Sequence, residues 1–163
     1  VVRTTISGLL EGDRRSLGTV GWRSHLQGLI RPLSEVMETA ESVGVEVGIE
    51  NHQDLCSHEL LWLCEQVGSR RLGVTMDVGN AYAVGETPLC FARRILPILK
   101  HVHLKDYTVH GSESGYRLKR CALGDGIVNW PQMIALFDGQ APAVEGLYRT
   151  GGDPGTSHPV VRS

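Results

Sequence analysis

The chain has 163 residues, enough for one domain with a substantial core, and its 41% hydrophobic and 21% charged content are ordinary for a globular protein. A formal net charge of −2 without long runs of one sign is a poor footprint for nucleic acid, and the apolar runs are far too short to span a bilayer. Four cysteines without CxxC spacing, and no visible signal peptide, read as reduced thiols in a cytoplasmic protein.

The chain opens on a strand-like run, 1–7, in which Arg3, Thr5 and Ser7 alternate with Val2, Thr4 and Ile6. The absence of an initiator Met before this run leads us to expect further sequence upstream. Residues 8–21 read as a loop carrying the mixed cluster Glu11-Gly12-Asp13-Arg14-Arg15, either solvated or, in a barrel, lying over the site. Over 22–43 the apolar residues Leu26, Leu29, Ile30, Leu33, Val36, Met37 and Ala40 follow helical spacing, with Pro32 expected to kink or restart the helix and Gly44 to stop it.

A strand over 45–50 ends on Glu50 and runs into Asn51-His52. Ser57 then reads as the N-cap of a helix with Leu60, Leu61, Cys64 and Val67 on its apolar stripe, closed by Gly68. The next strand, 72–77, ends on Asp77 and is followed by Val78, Gly79 and Asn80. Thr87-Pro88 is a cap with a first-turn proline, opening a helix with Leu89, Ala92, Ile95, Leu96 and Leu99 on one side. The third strand, 101–106, carries His103.

After it, 108–126 reads as a long polar loop bearing His110, Arg117, Lys119 and Arg120. Long loops are disproportionately functional, and this one is a candidate lid whose cations, Arg117 among them, would meet a substrate phosphate or hydroxyls. Trp130-Pro131 opens a last helix to about 137, and 139–163 is an irregular, Gly- and Pro-rich tail with at most a short strand at 143–148.

Three of these strands end alike. Glu50 and Asp77 are 27 positions apart and Asp77 and His103 are 26 apart, about one unit of a βαβ repeat. By strand parity Val45, Val47 and Ile49 face away from Glu46, Gly48 and Glu50, Val74 and Met76 oppose Thr75 and Asp77, and Val102 and Leu104 oppose His101, His103 and Lys105. A helix layer covers the aliphatic side, and the polar side converges at the carboxyl ends of parallel strands, where α/β proteins build their sites. Glu50, Asp77 and His103 offer two carboxylates and an imidazole, a set suited to Mn²⁺, Mg²⁺ or Co²⁺, with Zn²⁺ also compatible. Lys105 points inward and either binds a hydroxyl or developing negative charge, or pairs with an inward carboxylate such as Glu46. His101 lies a layer deeper and reads as a core histidine.

The segments GVEVGIENH (44–52), LGVTMDVGN (72–80), HVHLKDY (101–107) and CALGDGIVNW (121–130), in this order and spacing, resemble the xylose isomerase-like TIM barrels, in particular the sugar phosphate isomerase/epimerase branch. The resemblance covers about 1–138. It implies an α/β fold, a (β/α)8 barrel present as an incomplete barrel of roughly the fourth to eighth βα units, in a single partial domain over 1–163. It also implies that Glu50 is both metal ligand and catalytic base, that His52 lies at the rim of the site, and that Asn80 contacts substrate. The family's final strand ends in a second catalytic Glu. No clear match exists here, Glu145 standing too early, and a truncated or shifted end is expected to account for it.

The function this implies is a divalent-metal-dependent sugar or sugar-phosphate isomerase/epimerase, acting by proton abstraction alpha to a carbonyl through an ene-diolate. A keto-polyol (inosose-type) dehydratase using the same metal and base is the alternative, as is a catalytically inactive truncated relative. The expected partner is a small-molecule sugar or polyol, with neither nucleic acid nor membrane. The exposed edges of a partial barrel predict association, a homo-oligomer being one form of it.

Overall fold

In a computed structural model the residues described are 1–6, 13–113, 115–140 and 146–148. Strands β1 (Val2–Thr4), β2 (Val47–Glu50), β3 (Leu72–Asp77) and β4 (Leu99–Leu104) alternate with helices α1 (Asp13–Ser42), α2 (Ser57–Val67) and α3 (Pro88–Ile95). Strands β5 (Asp106–Ser112) and β6 (Gly115–Cys121), helix α4 (Trp130–Gln140) and strand β7 (Gly146–Tyr148) follow. The main sheet has the order β1-β2-β3-β4-β7, and all its pairings are parallel. It is a partial, TIM-barrel-like α/β sheet: within the described residues β1 and β7 each have one neighbour and form its two edges.

Parity works as the alternation predicts. Val47, Ile49, Val74, Met76 and Val102 are buried beneath Leu26, Leu33 and Met37 of α1, Leu60 and Leu63 of α2, and Phe91 and Ile95 of α3. Glu50 pairs in register with Thr75, and Asp77 with His103, so the metal-capable ends come level across three adjacent strands. A register irregularity between Val74 and Thr75 inserts Lys100 into β4. That residue reaches Glu46, with Nζ 2.8 Å from its Oε1.

Four local expectations are corrected. The segment expected as a loop up to Gly21 is helical from Asp13, and the break in α1 falls at Gly18 (φ 62°, ψ −178°), a conformation that favours glycine. Pro32 sits inside that helix without interrupting it. The carbonyl four residues back belongs to exposed Gly28, where water can replace the missing donor. The N-cap of α2 is Cys56, not Ser57: Glu59 accepts from the Cys56 backbone N–H at 2.9 Å. Ser57 is drawn elsewhere, its N–H and Oγ donating to Glu86 at 2.7 and 2.6 Å. Gly68 ends α2 in the left-handed region, and Thr87 caps α3 through Cys90 N–H, both as read from the sequence.

The fourth correction is the largest. Most of 108–126 is an antiparallel hairpin, β5 against β6, rather than a loop. One face of this ribbon carries Thr108, His110, Arg117 and Lys119 as register mates, and the other carries Tyr107, Val109, Leu118 and Arg120. Tyr107 and Tyr116 tie the second face to the 3-10 segment Val78–Val84, through Asn80 Oδ1 and the Tyr82 carbonyl. The short strand expected at 143–148 is observed as β7, while Glu145 and the tail from 149 lie outside the described residues. The four cysteines are free. No helix among the described residues is long and apolar enough to cross a membrane.

Candidate metal centre

Glu50, Asp77 and His103 each bring a ligand-type atom within 4.8 Å of the others at the carboxyl ends of β2, β3 and β4. Glu50 is 1% and Asp77 0% exposed, while His103 is half-buried with Nδ1 3.5 Å from Glu50 Oε1. Asn51 fixes the two carboxylate-bearing strand ends to each other. Its Nδ2 donates to the Asp77 carbonyl at 3.1 Å and its Oδ1 accepts from the Asp77 N–H at 2.5 Å. Glu50 and Asp77 are thereby locked level by a side chain that fills the hydrogen-bonding place of a further strand residue.

The charges are unequal. Burial pushes the Glu50 carboxyl upward, but the hydrogen bond from His103 and the positive charges of Arg3, His103 and His52 outweigh it and hold the group at about 2. Asp77 goes the other way: burial, helped by the neighbouring Glu50 charge, raises its carboxyl above the ordinary range against the pull of Lys105 and His103. One of its oxygens, Oδ2, contacts Lys105 Nζ; the other, Oδ1, is buried without a hydrogen-bond partner among the described residues. An unpaired buried carboxylate oxygen is costly, and the residue that carries it is one of the two carboxylates that converge with an imidazole. A hard or borderline divalent cation answers that deficit, so the donor set and the orphaned oxygen fit a metal ion.

The other expected site residues are distributed around this cluster. Lys105 joins it, and pairs with Asp77 rather than with Glu46, which Lys100 takes instead. His52 is half-buried two residues beyond Glu50. Asn80 is buried, accepting from Tyr107 Oη at 3.3 Å. Arg117 is exposed on β6, opposite His110, on the hairpin face that turns away from Tyr107. His101 is half-buried beneath the centre, its ring edge-on to that of His103 at 5.1 Å.

Two contributors went unrecognised in the sequence. Arg3 Nη1 donates to Glu50 Oε2 at 2.9 Å; its inward parity was readable, but its reach to a neighbouring strand depends on register. Asp106 collects five donors. Oδ1 accepts from the N–H groups of Tyr107 and Val128 at 2.9 and 3.2 Å, and Oδ2 from Gly124 N, Gly126 N and Trp130 Nε1 at 3.0, 3.2 and 2.8 Å. It thus fastens 124–130 to the end of β4. A Cβ at Gly126 would overlap this carboxylate, and one at Gly79 would overlap the Tyr107 ring, so both glycines are close-approach positions.

With the sheet and the centre in view, comparison with known proteins decides the family. The Xylose isomerase-like TIM barrel family matches residues 4–141. The chain belongs to that family. It is 30% identical over 104 residues to the protein YihM of Escherichia coli strain K12, a match covering 64% of this chain and 32% of YihM. Among solved structures, a D-tagatose 3-epimerase-like protein superposes with a TM-score of 0.70 at 23% identity, covering 90% of this chain and 54% of that one. The mannonate dehydratase of Streptococcus suis serotype 2 superposes with a TM-score of 0.62 at 16% identity, covering 80% and 42%. The chain spans about a third of the length of the curated relatives it matches and about half of the solved structures. This family member therefore pairs a partial barrel with a cluster of two carboxylates and an imidazole suited to a divalent metal.

Proposed function

We propose that this chain carries the metal- and base-bearing part of a sugar or sugar-phosphate isomerase/epimerase that removes a proton alpha to a carbonyl. The observation that carries the reading is the convergence of Glu50, Asp77 and His103 within 4.8 Å, one of them, Asp77, having a buried oxygen without a hydrogen-bond partner among the described residues. A divalent ion held by these three residues supplies Lewis-acid chemistry, acidifying the C–H beside a carbonyl.

Glu50 is the base. His103 and Arg3 hold it ionised, and the same positive neighbours lower its basicity, so the transfer depends on acidification of the C–H rather than on a strong base. Lys105, already at the cluster through Asp77, offers its ammonium to negative charge developing on the substrate oxygen as that proton leaves. Asn80, steadied by Tyr107, and His52, at the rim beyond Glu50, are the substrate contacts, with Arg117 on the hairpin reaching an outer hydroxyl or phosphate. Return of that proton by Glu50 to the other carbon isomerises, whereas epimerisation requires a second acid on the opposite face of the ene-diolate.

Likeness to a mannonate dehydratase supports a second reading in which the same proton abstraction is followed by loss of water. Incubation with ketoses and with keto-polyols separates the two, as changed stereochemistry against a dehydrated product. The metal reading is tested first, by thermal unfolding of chelator-stripped protein titrated with Mn²⁺. A rise in Tm that disappears in Asp77→Asn and His103→Ala supports it; an equal rise in those variants, or none in the wild type, defeats it.

A further inference from the structure

Glu50 is asked to do two things, and its oxygens face different neighbours. Oε1 faces His103 Nδ1 at 3.5 Å, on the side of the ligand cluster, and Oε2 accepts from Arg3 Nη1 at 2.9 Å. Arg3 reaches it from β1, where its register mate is Gly48, two residues before Glu50 on the same inward face. Gly48 has no side chain to interpose. The Arg3 side chain is 49% exposed, whereas that of Glu50 is 1% exposed. An exposed, long side chain has been recruited to one oxygen of a buried carboxylate.

Carboxylates bind divalent cations through one oxygen or through two. A two-oxygen mode engages both ends of the group and leaves it a poor proton acceptor. A guanidinium on Oε2 opposes that mode sterically and electrostatically, because a second cation cannot comfortably share the oxygen. We propose that Arg3 is a positioning residue that, by occupying Oε2, restricts Glu50 to one-oxygen metal binding through Oε1 and weakens metal affinity in doing so. This rests on the reading of Glu50 as a metal ligand.

The consequence has an unusual sign. A residue that only helped the site to fold would, when removed, loosen metal binding. Removal of Arg3 tightens it, because a positive charge leaves the neighbourhood of a cation site and the second oxygen becomes available. Mn²⁺ titrations of the full 163-residue chain, followed by the electron paramagnetic resonance of free Mn²⁺, test this with Arg3→Gln, Arg3→Met, Arg3→Lys and Asp77→Asn. Expected is about tenfold tighter Mn²⁺ binding in Arg3→Gln and Arg3→Met, and a near-wild-type Kd in Arg3→Lys, which keeps the charge. The infrared carboxylate stretches on Mn²⁺ addition report the mode directly, and their splitting narrows in the neutral variants as Glu50 becomes two-oxygen. Unchanged or weaker Mn²⁺ binding in the folded neutral variants, with binding still lost in Asp77→Asn, overturns the role of Arg3 alone. Absence of Mn²⁺ binding by the wild type overturns both this inference and the metal reading beneath it.

Discussion

Asp77, at the end of β3, and Asp106, at the start of β5, are both buried aspartates, 0% and 1% exposed, and they are solvated by the protein in opposite ways. Asp106 is saturated: five N–H donors divide between its two oxygens and hold its carboxyl below the ordinary range even though burial pushes upward. Asp77 is deprived, with one oxygen on Lys105, the other on no partner among the described residues, and a carboxyl raised by burial. A carboxylate whose bonds are all made by its own chain is a joint. One that the fold buries without completing is held ready for something else, and the difference separates architecture from chemistry within the HVHLKDY and LGVTMDVGN motifs.

The largest effect should fall on the joint. Asp106→Asn places an amide among donors that need an acceptor and strands several of them in the interior. We expect a loss on the order of 4 kcal/mol in denaturant unfolding. The sign of its pH dependence follows from the depressed carboxyl: the stabilisation is fully present above the unfolded-state value of 3.8 and is lost as pH falls through the lower folded value. The gap between wild type and Asp106→Asn should therefore be flat near neutrality and close only in acid. A gap that closed between pH 6 and 8 would mean that some other group had been measured.

The next effect belongs to the deprived aspartate. With Mn²⁺ at about 100 times its Kd the wild type gains roughly 2.7 kcal/mol, and Asp77→Asn gains none. Asp106→Asn, though much less stable, should keep the full Mn²⁺ increment. Loss of the increment in both variants would dissolve the distinction between joint and site.

The sequence disclosed the site more readily than the frame around it. Period-two alternation brought Glu50, Asp77 and His103 to one face because strand parity is local, and Gly68 and Thr87-Pro88 marked helix ends because capping is local too. The hairpin β5–β6 was overlooked because its polar face, Thr108 and His110 against Lys119 and Arg117, dominates the segment. The apolar alternation on the other face, Tyr107 and Val109 with Leu118 and Tyr116, is only two residues long on each strand. The role of Asp106 required knowing that the loop at 124–130 folds back, and that of Arg3 required the offset between β1 and β2. The early start of α1 was masked by Gly18 and Gly21, residues that usually end helices. Register and long-range hydrogen bonds account for what was missed at Arg3 and Asp106, and misleading residue types for what was missed in the hairpin and at the start of α1.

A third aspartate tests whether deprivation alone marks a site. Asp54, four residues after Glu50, is 7% exposed, and neither of its carboxylate oxygens has a hydrogen-bond partner among the described residues. Arg14 comes close, but donates to the Asp54 main-chain carbonyl at 2.8 Å and to Glu59 at 2.6 Å rather than to the carboxylate. Unlike Asp77, it is outside the ligand cluster found among the described residues. Nothing among the described residues then repays its desolvation. Asp54→Asn keeps the shape and removes the charge, so we expect the chelator-treated protein to gain about 1 kcal/mol in chemical unfolding, with its Mn²⁺ increment unaltered. A loss of stability instead would mean that the Asp54 charge is matched in solution, and burial without a partner would then no longer suffice to tell Asp77 from an ordinary core carboxylate; the convergence of three ligands would have to bear that distinction alone.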